Sequence, residues 1–92
     1  MKNIYDEYCF QASKGITKKY STSFYTGVKS LDKKIRNDIH SIYGFVRVAD
    51  EIVDSFHDFD KAKLLNEFSV STFFAIERGI SVNPILNSFQ HT

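Results

Sequence analysis

The chain has no tryptophan, one cysteine, one proline and four glycines in 92 residues. Cys9 has no partner for an internal disulfide, so the chain is not a disulfide-stapled scaffold and suits a reducing cytosol. No Gly/Ser-rich stretch, repeat or low-complexity tract divides it, and the length admits one small domain with one core. Charge of one sign is lacking as well. Twelve Lys and Arg against eleven Asp and Glu leave a formal net charge of +1, which offers no bulk attraction toward nucleic acid or an anionic membrane. No apolar run approaches membrane-spanning length, and Asp6 and Glu7 stand where a signal peptide would need apolar residues. These absences argue against secretion and bilayer insertion and point to the cytoplasm.

Aromatic residues are plentiful by contrast: nine Phe and five Tyr make 15% of the chain. Aromatic rings bury more area than aliphatic side chains, while a chain this short buries only about 60 to 65% of its unfolded surface. Some rings are therefore expected to await further polypeptide or a partner surface.

The periodicity is helical throughout, so the fold class read from the residues is all-α. Tyr5, Tyr8, Cys9, Ala12 and Ile16 recur at helical spacing and predict a first helix reaching Lys19. Tyr20 to Ser30 is crowded with Ser and Thr, whose hydroxyls compete for backbone hydrogen bonds, and reads as a loop. A long helix is predicted from a cap at Asp32 to about Phe56, with Ile35, Ile39, Ile42, Val46, Ala49, Val53 and Phe56 as its apolar stripe. Asp60 can cap a third helix that buries Leu64, Leu65, Phe68, Thr72, Ala75 and Ile76, with Gly79 as the left-handed residue at its end. Asn83 followed by Pro84 reads as the cap and first position of a fourth, short helix, marginal alone in water.

The chemistry-bearing residues lie on the long helix. With Asp50 at zero and about 100° per residue, Tyr43 falls near +20°, Asp54 near +40° and Arg47 near +60°, on a stripe bordering the apolar one. Carboxylates at i and i+4 repel each other, a penalty that a shared divalent cation reverses. Two such carboxylates suit Mg2+, which keeps several waters and takes few protein ligands besides substrate phosphates. Arg47 adds a planar fork of donors suited to phosphate oxygens. The plainer reading of the same residues is a solvated face on which Arg47 pairs with Asp50 or Glu51.

Two motifs occur together: Tyr20-Ser21-Thr22-Ser23-Phe24-Tyr25, and Ile42-Tyr43-Gly44-Phe45-Val46-Arg47-Val48-Ala49-Asp50-Glu51-Ile52-Val53-Asp54. In this pairing the chain resembles the N-terminal part of the phytoene and squalene synthase family, from about Tyr8 to the Asn83-Pro84-Ile85-Leu86 helix start. The resemblance implies the N-terminal helices of the all-α isoprenoid-synthase bundle. It also implies an enzyme that joins two prenyl diphosphates head to head with Mg2+-assisted release of pyrophosphate. Carried over, Asp50 and Asp54 match the first aspartate-rich motif, which holds Mg2+ against the diphosphate, and Arg47 matches an arginine that pairs with diphosphate oxygens. Ser21 and Ser23 match hydroxyls lining the diphosphate end of the cavity, and Tyr43 a tyrosine at its wall. Glu51 within D-E-I-V-D looks more like the phytoene branch, which implies geranylgeranyl diphosphate as substrate and carotenoid biosynthesis as context; at about +100° on the wheel, Glu51 itself reads as a solvated or outer acid and not a metal ligand.

The resemblance fails in one respect. Family enzymes are several times longer and complete the metal cluster with a second aspartate-rich motif on a later helix. After Asp60 this chain has only Glu67 and Glu77 as acids, and no further D-x-x-x-D follows. Residues 1–92 therefore read as a truncated N-terminal part of one helical domain. Its expected partners are the missing C-terminal helices of the same enzyme, a prenyl diphosphate, and peripheral contact with a membrane that receives a hydrocarbon product. Alone it is expected not to turn over substrate.

The remaining candidates read as structural. His40, His57 and His91 lack metal-ligand spacing and are expected to be surface or satisfied histidines. Lys18, Lys19, Lys33, Lys34 and Arg36 are interleaved with Tyr20, Phe24 and Tyr25, but no groove-reading motif accompanies them, so no nucleic-acid partner is expected. Phe68, Phe73, Phe74 and Phe89 read first as core and second as the lining of a prenyl tunnel. The rival reading from another class is a noncatalytic helical interaction module that docks by its aromatic face.

Overall fold

A computed structural model describes residues 2–92. It contains α1 (Lys2–Tyr20), α2 (Thr22–Val28), α3 (Lys33–Asp54), α4 (Lys61–Arg78) and α5 (Pro84–Gln90), and no strand among the described residues. The capping signals act as their chemistry predicts. Asp32 accepts from the Lys34 N–H at 2.9 Å, Asp60 from the Lys63 N–H at 3.1 Å, and Asn83 from the Ile85 and Leu86 N–H groups at 3.0 and 3.3 Å. Gly79 ends α4 at φ 72°, a conformation that costs glycine nothing.

Two expectations about local structure are corrected. The stretch read as a loop from Tyr20 to Ser30 contains the seven-residue helix α2. Its hydroxyls work at the ends of the helix: Ser21 Oγ accepts from the Phe24 N–H at 3.3 Å, and Ser30 Oγ donates to the Gly27 carbonyl at 2.7 Å. The long helix also presents a different face to the core. Ile35, Ile42, Val46, Val53 and Phe56 are exposed, while His40, Ser41, Gly44 and Ile52 are buried.

The reason lies in α1, which packs along α3 and α5 with Cys9, Ser13 and Thr17 buried at intervals of four. This seam is small and polar. Ser13 Oγ and Ser88 Oγ lie 2.5 Å apart, Thr17 Oγ1 meets His40 Nδ1 at 2.9 Å, and Asn87 Nδ2 donates to Asp6 at 2.9 Å. Small side chains let helices approach closely, so the bulky stripe of α3 is left facing away from α1. The molecule measures 39 × 31 × 16 Å, and its thin dimension accommodates about two packed helices at the usual 8–10 Å separation.

The third helix and its aromatic set are also redistributed. Ala75 is buried, Leu64, Phe68 and Thr72 are half-buried, and Leu65 and Ile76 are exposed. Phe45 stacks on Phe89 at 4.0 Å and on Phe68 at 5.3 Å, joining α3, α5 and α4. Phe73 and Phe74, expected in the core, are exposed. α5 is held in place by packing, with Leu86, Asn87 and Ser88 fully buried.

Candidate functional site

The turn between α1 and α2 lies against the middle of α3. Two ring contacts hold it there. The guanidinium carbon of Arg47 sits 4.8 Å over the Tyr20 ring, and Phe24 stacks on Tyr43 with centroids 5.1 Å apart and planes 23° apart. The structure thus brings Ser21 and Ser23, which flank the start of α2, into the neighbourhood of Tyr43 and Arg47. Ser21 is half-buried and its hydroxyl is engaged in the α2 cap; Ser23 is exposed. Tyr20 and Phe24 were not singled out from the sequence as site residues, although both stand inside the motif that contains the serines.

Arg47 is half-buried and pairs with Glu51 one turn later, the i,i+4 alternative already visible in the sequence. The Arg47 hydrogen bond is the main cause that holds the Glu51 carboxyl below the usual range, with further help from Ser55 and Tyr20. The same hydrogen bond raises the Arg47 guanidinium above its ordinary value. Arg47 Nε is buried and has no hydrogen-bond partner among the described residues. One donor of the fork is therefore unsatisfied, which is unfavourable for a desolvated polar atom.

Asp50 and Asp54 occupy successive turns near the C-terminal end of α3, and both are exposed. Carboxylates there oppose the negative end of the helix dipole, and the last turn of α3 carries no basic residue. Lys61 partly compensates by donating to the Val53 carbonyl at 2.6 Å. A divalent cation on Asp50 and Asp54 would relieve both their mutual repulsion and the dipole penalty. Their oxygen chemistry fits Mg2+, which needs few protein ligands. No group of three or more His, Cys, Asp or Glu suited to a metal converges among the described residues.

The three histidines are placed as expected. His40 is satisfied by Thr17, His57 lies 3.2 Å from Lys61 Nζ, and His91 pairs with Asp6 at 3.0 Å.

A family model described as squalene/phytoene synthase matches residues 17–92, a span that includes the serine turn and the whole of α3. The chain belongs to the squalene/phytoene synthase family. The five helices among the described residues are consistent with an all-α isoprenoid-synthase fold, and the family is one of prenyltransferases of isoprenoid biosynthesis. Neither a curated protein sequence nor a solved structure matches the chain significantly. Among the described residues, no helix of this squalene/phytoene synthase chain is long and apolar enough to cross a membrane.

Proposed function

We propose that the chain supplies the first diphosphate-binding half of a prenyltransferase site, of the phytoene-forming type, that joins two geranylgeranyl diphosphates head to head in carotenoid biosynthesis. The observation that carries this reading is the packing of the serine turn on α3 through Tyr20–Arg47 and Phe24–Tyr43, within the segment matched by the family. The acidic sequence Asp50-Glu51-Ile52-Val53-Asp54 favours the phytoene branch.

In this reading Asp50 and Asp54 hold Mg2+, which when bound supplies Lewis-acid stabilisation of the departing pyrophosphate. Arg47 turns the terminal donors that now pair with Glu51 toward diphosphate oxygens, exchanging Glu51 for the ligand. Charge grows on the pyrophosphate as the allylic C–O bond breaks, so cationic groups fixed around it favour the transition state over the ground state. Ser23 offers a free hydroxyl beside the same group, while Ser21 acts mainly by holding α2. The stacked Phe24 and Tyr43 rings keep water from the adjoining carbocation.

The partners proposed with this reading are the further helices of the same enzyme and a membrane surface. Ile42, Val46 and Val53 form an exposed apolar strip beside the acids, which suits cover by further helices that bring a second acid pair. Peripheral contact with a membrane would serve release of a hydrocarbon product.

The test is Mg2+-dependent binding of inorganic pyrophosphate by the chain and by its Asp50→Asn/Asp54→Asn variant. Loss of the Mg2+-dependent component with an unchanged helical spectrum is expected. Unchanged binding would instead favour a noncatalytic helical module.

A further inference from the structure

A second concentration of cationic groups lies apart from Arg47, where α1, the end of α2 and the start of α3 meet. The cleft there has a volume of about 380 Å3 and is lined by Lys14, Lys29, Lys33 and Arg36 together with Tyr25 and His40; no carboxylate is among its lining residues.

The cleft is built by the fold. Arg36 pins the α2–α3 turn, donating through Nε to the Leu31 carbonyl at 2.9 Å and through a terminal nitrogen to the Lys29 carbonyl at 2.7 Å. That ties Lys29 to Arg36 at the turn, and Lys33 lines the same cleft. Lys29 Nζ sits 4.9 Å from the centre of the Tyr25 ring, which Lys18 approaches from 5.8 Å. His40, buried and hydrogen-bonded through Nδ1 to Thr17, also lines the cleft. Asp32, the nearest acid in sequence to this turn, is engaged in capping α3. Burial first, and the charge of Lys14 second, lower the His40 pKa.

We infer that this cleft binds a phosphate-bearing oligoanion, with Lys14, Lys29 and Lys33 supplying the charge and Arg36 holding the turn. Clustered like charges without acids repel one another, and an anion of two or more charges removes that repulsion while accepting several charge-assisted hydrogen bonds. The concave shape fits a phosphate or diphosphate group more closely than an extended polymer. The group could be free in solution or carried by a lipid headgroup.

The experiment uses the whole chain in EDTA, so that metal-dependent binding does not contribute. Amide and side-chain NMR shifts are followed while inorganic pyrophosphate is added, and separately while vesicles of phosphatidylglycerol or of phosphatidylcholine are added. The variants are Lys14→Gln/Lys29→Gln/Lys33→Gln, the single Lys29→Gln in case the triple variant misfolds, and Arg47→Gln. Expected are shifts centred on residues 29–40 that weaken at least about fivefold in the triple variant, measurably in Lys29→Gln, and little in Arg47→Gln. A response to pyrophosphate identifies a free phosphate as sufficient; a response to phosphatidylglycerol vesicles alone identifies the headgroup. Absence of any response at residues 29–40, or equal binding by the lysine variants, overturns the inference.

Discussion

Gly44 on α3 faces Ser13 on α1 so closely that a Cβ at position 44 would lie 3.2 Å from Ser13 Oγ. The serine has little freedom to retreat, because its hydroxyl is held 2.5 Å from that of Ser88. Gly44→Ala should therefore destabilise the chain despite gaining about 1 kcal/mol of helix propensity, since overpacking a close seam costs about 1–3 kcal/mol. The urea midpoint checks this: a fall is expected, and a rise would show that the seam can open. Gly44→Val should fall further.

The two serines of the turn should separate stability from binding. Ser21→Ala removes the cap of α2 and is expected to lower stability by about 1 kcal/mol. Ser23 is exposed, and its substitution by alanine should leave stability within about 0.5 kcal/mol. Thermal unfolding compared with pyrophosphate titration resolves the two: Ser23→Ala should weaken Mg2+-pyrophosphate binding with an unchanged midpoint.

His40 gives a signed pH dependence. Its pKa in the folded chain is lowered by burial first and by Lys14 second, while the unfolded chain titrates near about 6.5. The unfolded state thus binds more protons in the window between the two values. The stability that neutral His40 contributes is complete above about pH 6.5 and is lost as pH falls toward the folded pKa. Urea midpoints at pH 8 and pH 5 should differ more in the native chain than in His40→Gln. An equal difference in both would remove His40 as the cause.

Glu51 is expected to compete with the diphosphate for Arg47. Glu51→Gln should weaken the ion pair, leave the helices intact and strengthen Mg2+-pyrophosphate binding severalfold by isothermal titration. Weaker binding would mean that Glu51 orients the guanidinium rather than occupying it.

Much of this architecture was legible because helix termini carry local chemistry. Asp32, Asp60, Gly79 and Asn83-Pro84 mark their boundaries by side-chain hydrogen bonding and backbone preference, which neighbours do not alter. The serine-rich turn is ambiguous in the sequence because the same hydroxyl that breaks a helix inside it starts one at Ser21, and only the position of the next N–H groups decides which. The inward face of α3 is hidden from the sequence pattern for a different reason. Apolar periodicity locates a stripe, but the close fit of Ser13, Gly44 and Ser88 depends on residues more than thirty positions apart. At the site, the spacing of Arg47, Asp50 and Asp54 was visible, as was the option of an Arg47–Glu51 pair. The Tyr20 and Phe24 contacts that bring the serine turn to α3 were not, because aromatic partners across helices leave no periodic mark.

The most direct test of the diphosphate site is paramagnetic broadening by Mn2+, used in place of Mg2+ in the presence of pyrophosphate. The account predicts that amide signals are lost first around Asp50 and Asp54, then at Arg47 and the Ser21–Ser23 turn, and that Asp50→Asn/Asp54→Asn abolishes this pattern. Broadening that leaves α3 from Tyr43 to Asp54 untouched, or that persists there in the double variant, would contradict it.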